Sequence, residues 1–424
     1  MKVEITPSKC SGSVHLPPSK SMSHRAIICA SLAKGTSVIS NVAFSDDILV
    51  TIAGMRQLGA NIDIKDDTVT IQGINTFTNF NANQEVFCKE SGSTLRFFVP
   101  IFSLTNKPVA FTGENRLLKR PQKIYEDLFK EKGLSYTQNE HEIAIEGSLL
   151  PGSYSLPGDV SSQFISGLLF ALPLLQGDST IQIQAPYESQ SYVDLTLEML
   201  ERFGIDVHYS DPYTLRIPGN QSYKPNNYTI EGDYSQAGFF AVLGAINNDL
   251  TITGLNHDSK QGDKEIIQIL KDFNVHVTPV PFGYHIQKAQ LKPATINLEN
   301  CPDLGPILNV LQMYCLGEST MINAARLRLK ESDRILAMET ELKKCGVAIT
   351  STKDTITVHG TSTYQGACEL VGHKDHRIVM ALAVAATCMK QKVVIDEAEY
   401  INKSYPTFFE DLESVGIEVK KLDA

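Results

Sequence analysis

The feature that most constrains the fold is a sixfold internal repeat. A turn followed by a short β-branched run recurs six times along the 424-residue chain. The turn residues are Gly35, Asn106, Gly177, Asn248, Gly317 and Gln391, so successive copies lie 71, 71, 71, 69 and 74 residues apart. A regular period of this kind indicates one supersecondary unit that is used repeatedly and buries its core against its neighbours.

Each copy shows the same order of predicted elements. A run that is apolar nearly all round, such as "HRIVMALAVAA", precedes the turn and predicts a buried helix. The β-branched run predicts a strand, and an amphipathic helix and two alternating strands follow. The sixth copy ends after "IEVKKL". We therefore expect the N-terminal segments "KVEITPS" and "GSVHLP" to supply its missing strands.

The length of the chain exceeds what one ordinary core can hold, so we expect two domains of three copies each. The Pro- and Asn-rich stretch "SYKPNNY", residues 222–228, is typical of a linker. The predicted domains are residues 1–18 with 229–424, and residues 19–228. The chain would then cross twice between them, as a double hinge.

Composition excludes several classes of partner. The net charge of −10 disfavours binding to nucleic acid or to an anionic membrane surface. The longest apolar stretch is too short to span a bilayer, and the N-terminus has no signal-peptide pattern. The eight cysteines are scattered without a CxxC pair, which favours a reducing compartment. We expect a cytoplasmic protein that is a monomer.

Basic residues lie at the starts of several predicted buried helices. These residues are Lys20, Arg25, Arg96, Lys374 and Arg377. A cation opposes the helix dipole there, whereas an anion is bound favourably. Any one of these positions is explained by a solvated face, and the neighbouring Ser and Asp by helix capping. Their recurrence at the same place in successive repeats, with the basic stretches "GENRLLKRP", "RLRLKESDR" and "NKSYP", predicts a site for anions.

Histidines near these helix starts raise the alternative of a metal site. His373 and His376 flank Asp375 at a spacing that suits metal ligands, and His24 lies near another helix start. The sequence offers no further cluster of His or Cys nearby, and the adjacent cations would repel a metal ion. Capping or supporting histidines are the favoured interpretation, so we expect no metal.

The motifs "LPPSKSMSHRA", "GENRLLKRP", "GDVSSQF", "LKESDR" and "KDHR" resemble the 5-enolpyruvylshikimate-3-phosphate synthase family, in order, from about residue 12 to about residue 410. The resemblance implies an α/β (α+β) enolpyruvyltransferase fold. Each of its two domains has three βαβαββ repeats with buried helices, as an inside-out α/β barrel, and the active site lies in the cleft between domains.

The resemblance also implies a reaction. The enolpyruvyl group of phosphoenolpyruvate moves to the 5-hydroxyl of shikimate 3-phosphate by addition and elimination through a tetrahedral intermediate, and phosphate is released. This transferase step belongs to chorismate and aromatic amino acid biosynthesis, and it needs no cofactor. The two small-molecule substrates each carry a phosphate and a carboxylate, which arginine binds well.

Site residues follow from the matched motifs. The implied catalytic residues are Lys20, Asp303 as base toward the 5-hydroxyl, and Glu331 as proton donor to the methylene carbon. The implied shikimate 3-phosphate ligands are Lys20, Ser21, Arg25, Ser161, Ser162, Gln163, Ser189, Tyr192, Asp303 and Lys330. The implied phosphoenolpyruvate ligands are Lys20, Gly92, Arg116, Gln163, Arg334, Arg377 and Lys403.

The sequence departs from the family pattern at a few positions. Pro18 stands where many members have Gly, Glu90 and Ser93 replace Asn and Thr, and Arg326 stands at or beside an Asn that some members use for shikimate. Two alternatives stay open at this point. A UDP-N-acetylglucosamine enolpyruvyltransferase typically has a cysteine in the loop that here carries Arg116, and a non-catalytic phosphometabolite-binding protein would not need carboxylates among its cations.

Overall fold

The computed structural model describes residues 1–74, 77 and 85–422. It contains two compact units. Unit 1 comprises Met1–Ser19 and Glu231–Ala424, and unit 2 comprises Lys20–Ile230. Each unit has its own apolar core. Residues 222–228 pack on unit 2, where the Tyr223 hydroxyl donates a hydrogen bond to the Phe170 carbonyl at 2.8 Å.

The helices of the described residues are α1 (Lys20–Leu32), α2 (Asp46–Leu58), α3 (Gly92–Ser103), α4 (Lys123–Glu131), α5 (Ser162–Ala171), α6 (Gln190–Arg202), α7 (Tyr234–Ile246), α8 (Ile266–Asp272), α9 (Gly305–Met313), α10 (Arg334–Lys344), α11 (His376–Ala386) and α12 (Phe408–Ser414).

The strands of unit 2 and of the N-terminal segment are β1 (Lys2–Thr6), β2 (Ser13–His15), β3 (Thr36–Ser40), β4 (Asn61–Lys65), β5 (Thr68–Gln72), β6 (Glu85–Phe87), β7 (Val109–Thr112), β8 (Ser135–Gln138), β9 (Glu142–Glu146), β10 (Ser153–Pro157), β11 (Ser179–Gln184), β12 (His208–Asp211), β13 (Thr214–Ile217) and β14 (Tyr228–Thr229). The remaining strands are β15 (Leu250–Thr253), β16 (Val277–Val280), β17 (Gly283–Ile286), β18 (Thr295–Asn297), β19 (Gly317–Ile322), β20 (Ala348–Ser351), β21 (Ile356–Gly360), β22 (Glu369–Val371), β23 (Val393–Asp396) and β24 (Glu418–Leu422).

These strands form six four-stranded sheets of one topology. The strand orders are β14-β3-β5-β4, β6-β7-β9-β8, β10-β11-β13-β12, β2-β15-β17-β16, β18-β19-β21-β20 and β22-β23-β1-β24. In each sheet the first two strands are parallel and the remaining pairs are antiparallel, as in β10 with β11 and β11 with β13. The predicted repeat is therefore confirmed, with one strand placed before the buried helix to give a βαβαββ unit.

The N-terminal segments behave differently from each other. "KVEITPS" supplies β1, which lies between β23 and β24 and completes the sixth sheet, as predicted. The prediction for "GSVHLP" is wrong, because its strand β2 pairs in parallel with β15 in the fourth sheet. The short strand β14 correspondingly pairs with β3 in the first sheet. Each of these two strands therefore pairs in the sheet of one unit while the next helix in the chain belongs to the other unit.

The six predicted apolar helices are buried, which confirms the prediction. They are α1, α3, α5, α7, α9 and α11. Strands such as β1 and β11 turn alternate residues towards the core, so the helices are interior and the sheets cover them. Close packing requires a glycine where α3 and α5 approach each other, since a Cβ on Gly167 would lie 2.3 Å from the Arg96 carbonyl oxygen.

At the starts of four of the buried helices one side chain accepts a hydrogen bond from one of the free backbone N–H groups. The side chains of Ser91, Ser161, Asp233 and Asp375 accept hydrogen bonds from backbone N–H groups in the first turns of α3, α5, α7 and α11. Capping of this kind fixes each start against its neighbours. The basic motifs of the sequence are thereby held at well-defined positions.

Candidate active site

Seven ionisable side chains of unit 1 meet at the starts of three helices. This unit 1 cluster consists of Asp303, Lys330, Glu331, Arg334, Asp375, Arg377 and Lys403. Asp303 lies in the single 3-10 turn before α9, and Arg334 is the first residue of α10. Asp375 is the N-cap of α11. The repeat therefore brings together residues that are up to 100 positions apart.

Asp303 lies at the centre of the unit 1 cluster. Its Oδ1 accepts hydrogen bonds from Lys330 Nζ and Arg334 Nη1, both at 3.0 Å. Its Oδ2 accepts from Arg377 Nη2 at 3.2 Å. Burial raises the pKa of the Asp303 carboxyl, but the charges of Arg377, Lys330 and Arg334 outweigh burial and hold that pKa well below its usual range. Asp303 is therefore ionised.

Arg334 is the most enclosed cation of the cluster, with 1% of its side chain exposed. Its Nε donates to Asp375 Oδ2 at 2.8 Å and its Nη2 donates to Glu331 Oε2 at 2.9 Å. Burial lowers the pKa of Arg334, but Asp375, Glu331 and Asp303 together raise it above the ordinary value. The guanidinium is fixed in position and permanently charged.

Asp375 belongs to the unit 1 cluster, although the sequence indicated it only beside a possible metal site. It is fully buried, and its Oδ1 accepts the Arg377 backbone N–H at 3.0 Å, which caps α11. Its Oδ2 accepts from Ser332 Oγ at 3.0 Å as well as from Arg334. The sequence signal that could have identified Asp375 is its place within the "KDHR" motif. The carboxylate fixes the Arg334 guanidinium and caps the helix that carries Arg377.

Two lysines complete the unit 1 cluster. Lys403 is 3% exposed, and its Nζ lies 3.9 Å from Glu331 Oε1. Burial lowers the pKa of Lys330 to about 8, although the neighbouring Asp303 acts in the opposite direction. Glu331 lies between a guanidinium and an ammonium group, so it has cationic neighbours on both carboxylate oxygens.

A second basic group lies at the helix starts of unit 2. This unit 2 cluster consists of Lys20, Ser21, Arg25, Gly92, Arg96, Arg120, Ser161, Gln163 and Tyr192. Lys20 is the first residue of α1, and its Nζ donates to Asp47 Oδ2 at 2.7 Å. Asp47 is a nearly buried residue of α2 that sequence reasoning missed. Its position in the first turn of α2 indicated only a favourable interaction with the helix dipole.

Arg25 is buried, and its hydrogen-bond partners are neutral. Its Nε donates to Thr196 Oγ1, and its two Nη atoms donate to the carbonyls of Ser21 and Tyr192, all at 2.8 Å. The guanidinium also lies 5.4 Å from the centroid of the Phe97 ring. Burial lowers the pKa of Arg25 to about 10, which is still high enough for a full charge at neutral pH.

Arg96 and Gln163 join α3 to α5. Arg96 Nη1 donates to Gln163 Oε1 at 2.7 Å, and the guanidinium lies 4.7 Å from the Phe164 ring centroid. Gln163 Nε2 donates to Ser93 Oγ at 2.9 Å. Arg96 was noted in the sequence only as a cation at a helix start. The structure places it against Ser161 as well, with 3.5 Å between Nη1 and Oγ.

The loop "GENRLLKRP" presents its two arginines differently. Arg116 is exposed, whereas Arg120 is only 8% exposed. A Cβ added to Gly92 would lie 2.7 Å from Arg120 Nη1, so the guanidinium of Arg120 rests on this glycine. The structure therefore places Arg120 at the start of α3, while the side chain of the predicted Arg116 is exposed.

The predicted serines lie at two helix starts. Ser161 is the N-cap of α5 and its Oγ accepts the Gln163 N–H at 3.3 Å, while Ser162 is 5% exposed. Ser189 is buried at the N-cap of α6, in a left-handed backbone conformation with φ of 53°. Tyr192 follows in the first turn of α6, and its N–H donates to the Ser189 carbonyl at 3.1 Å.

The histidines of these regions have side-chain partners. His24 Nδ1 lies 2.8 Å from Thr51 Oγ1, and His373 Nε2 lies 2.9 Å from Glu341 Oε1. Within residues 1–74, 77 and 85–422, no group of three or more His, Cys, Asp or Glu side chains has metal-site geometry. Over the same residues, no helix combines the length and apolar character needed to cross a membrane.

The chain is similar to known proteins over nearly its whole length. The family model described as EPSP synthase (3-phosphoshikimate 1-carboxyvinyltransferase) matches residues 5–412. The 3-phosphoshikimate 1-carboxyvinyltransferase of Clostridium perfringens strain 13 is 47% identical over 418 residues, which is 98% of each chain. The protein of that name from Clostridioides difficile strain 630 is 41% identical over 426 residues, covering 98% of this chain and 97% of its own.

Solved structures confirm the predicted fold. EPSP synthase from Acinetobacter baumannii superposes with a TM-score of 0.83 at 27% identity, covering 99% of this chain and 100% of that chain. The enolpyruvyl transferase NikO from Streptomyces tendae gives a TM-score of 0.81 at 17% identity, with 100% and 99% coverage, and supports the fold alone. The architecture is the two-domain α/β fold of the enolpyruvyltransferases.

Proposed function

The chain belongs to the EPSP synthase family, and on this premise we propose how its two clusters transfer the enolpyruvyl group of phosphoenolpyruvate to the 5-hydroxyl of shikimate 3-phosphate. One observation carries the proposal. Asp303 and Glu331 are ionisable acids held among Lys330, Arg334 and Arg377, so a proton-transfer pair lies within an anion-binding set. Both clusters serve the same pair of substrates.

Shikimate 3-phosphate is held by residues of both units. In unit 2, the free N–H groups at the start of α5, with Ser161 and Ser162, suit its phosphate, and Ser189 adds a hydroxyl at the start of α6. Lys20, Ser21, Arg25 and Gln163 bind the remaining polar groups, Tyr192 packs on the ring, and Lys330 of unit 1 adds a further cation. The buried charge of Arg25 supports this assignment, because its partners are neutral and leave its positive field uncompensated.

Phosphoenolpyruvate is held by Arg334, Arg377 and Lys403 of unit 1 and by Lys20, Gln163 and the backbone at Gly92 in unit 2. The sequence resemblance added Arg116 to this set. We assign that role to Arg120 instead, since it is buried and lies on Gly92 while Arg116 is exposed. A glycine beside a guanidinium leaves room for a phosphate or carboxylate to reach the backbone N–H group.

Proton transfer follows from the unit 1 cluster. Asp303 takes the proton of the 5-hydroxyl while the oxygen of that hydroxyl bonds to C2 of phosphoenolpyruvate. Glu331 gives a proton to the methylene carbon. Loss of a proton from the resulting methyl group and departure of phosphate restore the double bond. Lys20 lies near the bridging oxygen and assists the proton transfers.

Substrate binding itself activates Asp303. Three cations depress its pKa in the structure described here, which makes it a weak base. Anionic substrates at Lys330, Arg334 and Arg377 offset those charges, so the pKa of Asp303 rises towards a value suited to a general base. The site therefore becomes basic only when it is occupied.

We also propose that the enzyme is a cytoplasmic monomer. All eight cysteines are free thiols, which suits a reducing compartment. Each cluster is built from side chains of one chain, so neither requires a second copy. Sedimentation equilibrium at micromolar concentration would give a mass near 46.7 kDa if the monomer is correct.

Phosphate release tests the proposed reaction. We expect inorganic phosphate to form when both substrates are present and not when either is omitted. Replacing shikimate 3-phosphate by UDP-N-acetylglucosamine should give no phosphate, which separates this activity from that of the related sugar-nucleotide transferase. Release from phosphoenolpyruvate alone, or release with the sugar nucleotide, would contradict the assignment.

A further inference from the structure

Two cysteine thiols lie side by side in unit 1. The Sγ atoms of Cys345 and Cys368 are 3.3 Å apart, although 22 residues separate them in the chain. Cys345 is the C-cap of α10, and Cys368 directly precedes β22. Cys345 is 7% exposed, while Cys368 is half-buried and is therefore the thiol that a small molecule can reach. Neither thiol has a part in the proposed transfer reaction.

The local chemistry favours reaction at Cys368. The hydrogen bond from Cys345 outweighs burial and, with the charge of Lys344, lowers the pKa of Cys368 to about 7. The same hydrogen bond, with burial, raises the pKa of Cys345. Cys368 therefore carries a large thiolate fraction at neutral pH, and the thiolate is the nucleophile in disulfide exchange.

We propose that Cys345 and Cys368 form a reversible intramolecular disulfide on reaction with low-molecular-weight disulfides such as glutathione disulfide. The Cys368 thiolate attacks one sulfur of the small disulfide, whose S–S bond breaks to release one small thiolate. Cys345 then loses its proton and attacks Cys368 Sγ, which expels the second small thiolate. The two protein thiols lose two electrons in total, and the small disulfide gains them as two thiols.

The geometry suits closure of this bond. A disulfide requires about 2.0 Å between the sulfur atoms, and side-chain rotation can close the remaining distance when the backbone is already close. Glu341 already joins the same two elements, because its Oε2 accepts the Val371 N–H at 2.9 Å. The new bond therefore reinforces an existing contact between α10 and β22.

The two elements that the disulfide would join, α10 and β22, are connected along the chain to residues of the unit 1 cluster. Helix α10 begins at Arg334, and the chain reaches Asp375 four residues after β22 ends.

A bond between Cys345 and Cys368 closes a covalent loop in the unfolded chain and so stabilises the fold. We expect the thermal unfolding midpoint to rise by about 5 °C on oxidation, a shift of the size expected for one such loop in a unit of this size.

Peptide mapping of the full-length protein tests the proposal. The protein is incubated with glutathione disulfide at pH 7.5, alkylated, digested and analysed by mass spectrometry. We expect one cross-linked peptide pair containing Cys345 and Cys368, with a mass two hydrogens below the sum of the free peptides. Dithiothreitol should abolish it, and the midpoint should return to its reduced value.

Single variants supply the controls. Cys345→Ser should convert the product to a stable glutathione adduct on Cys368, and Cys368→Ser should abolish reaction at Cys345. Cys388→Ser is the matched control, since Cys388 is also half-buried but contacts Thr387 Oγ1 at 3.6 Å, and it should leave the cross-link intact. The proposal is overturned by a stable glutathione adduct on Cys368 in the unmodified sequence, by no reaction at either thiol, or by an oxidised midpoint that does not rise.

Discussion

The two clusters surround their buried arginines Arg334 and Arg25 in opposite ways. In the unit 1 cluster each of the four basic side chains has a carboxylate oxygen within 4 Å, and Arg334 contacts three acids. In the unit 2 cluster Arg25 is held by a hydroxyl, two carbonyls and an aromatic face. Carboxylates fix the geometry of unit 1, whereas neutral partners leave the charge of Arg25 available to a ligand.

This difference assigns separate physical tasks to the two clusters. A buried cation without a carboxylate partner has a desolvation cost that an anionic ligand offsets, so unit 2 is suited to attract and hold a phosphate. A network of paired charges already has its own partners, so unit 1 is suited to position acids and bases. Variants of each cluster, and changes of pH, test this division of tasks.

Asp303→Asn should separate chemistry from binding most sharply. The amide keeps the shape but cannot accept the hydroxyl proton, so we expect kcat to fall by about 10²- to 10⁴-fold. Binding of shikimate 3-phosphate, measured by calorimetry, should change much less. Ser161→Ala is the matched variant from unit 2, with the reverse pattern of weaker binding and a smaller loss of kcat. Near-normal turnover of Asp303→Asn would remove this residue from the mechanism.

Arginine-to-methionine changes in the two clusters should lower the free energy of unfolding of the protein by different amounts. Arg334→Met leaves the fully buried Asp375 without its cation, and we expect the free energy of unfolding to fall by about 3–5 kcal/mol. Arg25→Met leaves no carboxylate unpaired, so its cost should be about 1 kcal/mol. Urea denaturation monitored by circular dichroism would measure both values.

A double variant completes this test. Arg334→Met combined with Asp375→Asn should recover part of the lost stability, because the buried charge is removed as well. Equal destabilisation by Arg25→Met and Arg334→Met would show that the carboxylate pairing of unit 1 does not distinguish the clusters.

The two arginines of the loop after β7 provide a comparison within unit 2. We expect Arg120→Ala to raise the KM for phosphoenolpyruvate by about 10- to 100-fold, the range for loss of one or two hydrogen bonds to a charged group. Arg116→Ala should change KM by less than about threefold, since this side chain is exposed. Steady-state kinetics at saturating shikimate 3-phosphate would decide between them, and the opposite ranking would restore the assignment of Arg116.

Between pH 7 and 9 the two clusters should respond differently. The pKa of Lys330 is lowered by burial to about 8, so this lysine loses its charge as pH rises through that value, while Arg25, with a pKa of about 10, stays charged. The dissociation constant of shikimate 3-phosphate should therefore increase by up to about tenfold per pH unit above pH 8. Lys330→Met should bind more weakly at pH 7 and lose this dependence. An unchanged pH profile in Lys330→Met would assign the titration to another group.

The lowered pKa of Lys330 also makes the free energy of unfolding depend on pH. Because the folded chain releases the Lys330 proton at lower pH than the unfolded chain, the unfolded state binds more protons between about pH 8 and 10.5. The contribution of Lys330 to the free energy of unfolding therefore becomes more favourable as pH rises through this window. Lys330→Met should remove that contribution in urea titrations at pH 8 and pH 10.

The repeated unit and the sites for anions could be predicted from the amino-acid sequence. Helix and strand periodicities are local, so six buried helices could be read from runs such as "HRIVMALAVAA". Basic residues at helix starts indicated anions, whereas the proton-transfer roles of Asp303 and Glu331 came from the resemblance of their motifs to a known family. The repeat and the anion sites depend on residue type and on spacing within one repeat, which a linear sequence contains.

Which distant segments meet is defined by the folded chain and not by local sequence. The strands β2 and β14 pair across long separations with β15 and β3, and nothing in their local pattern selects those partners, since any half-buried strand shows the same alternation. Only the fold shows that Arg120 is buried while Arg116 is exposed. It also shows that Asp47 pairs with Lys20 and that Asp375 pairs with Arg334. Pairing, burial and charge compensation depend on neighbours far apart in the chain, and so they become defined only when the chain is folded.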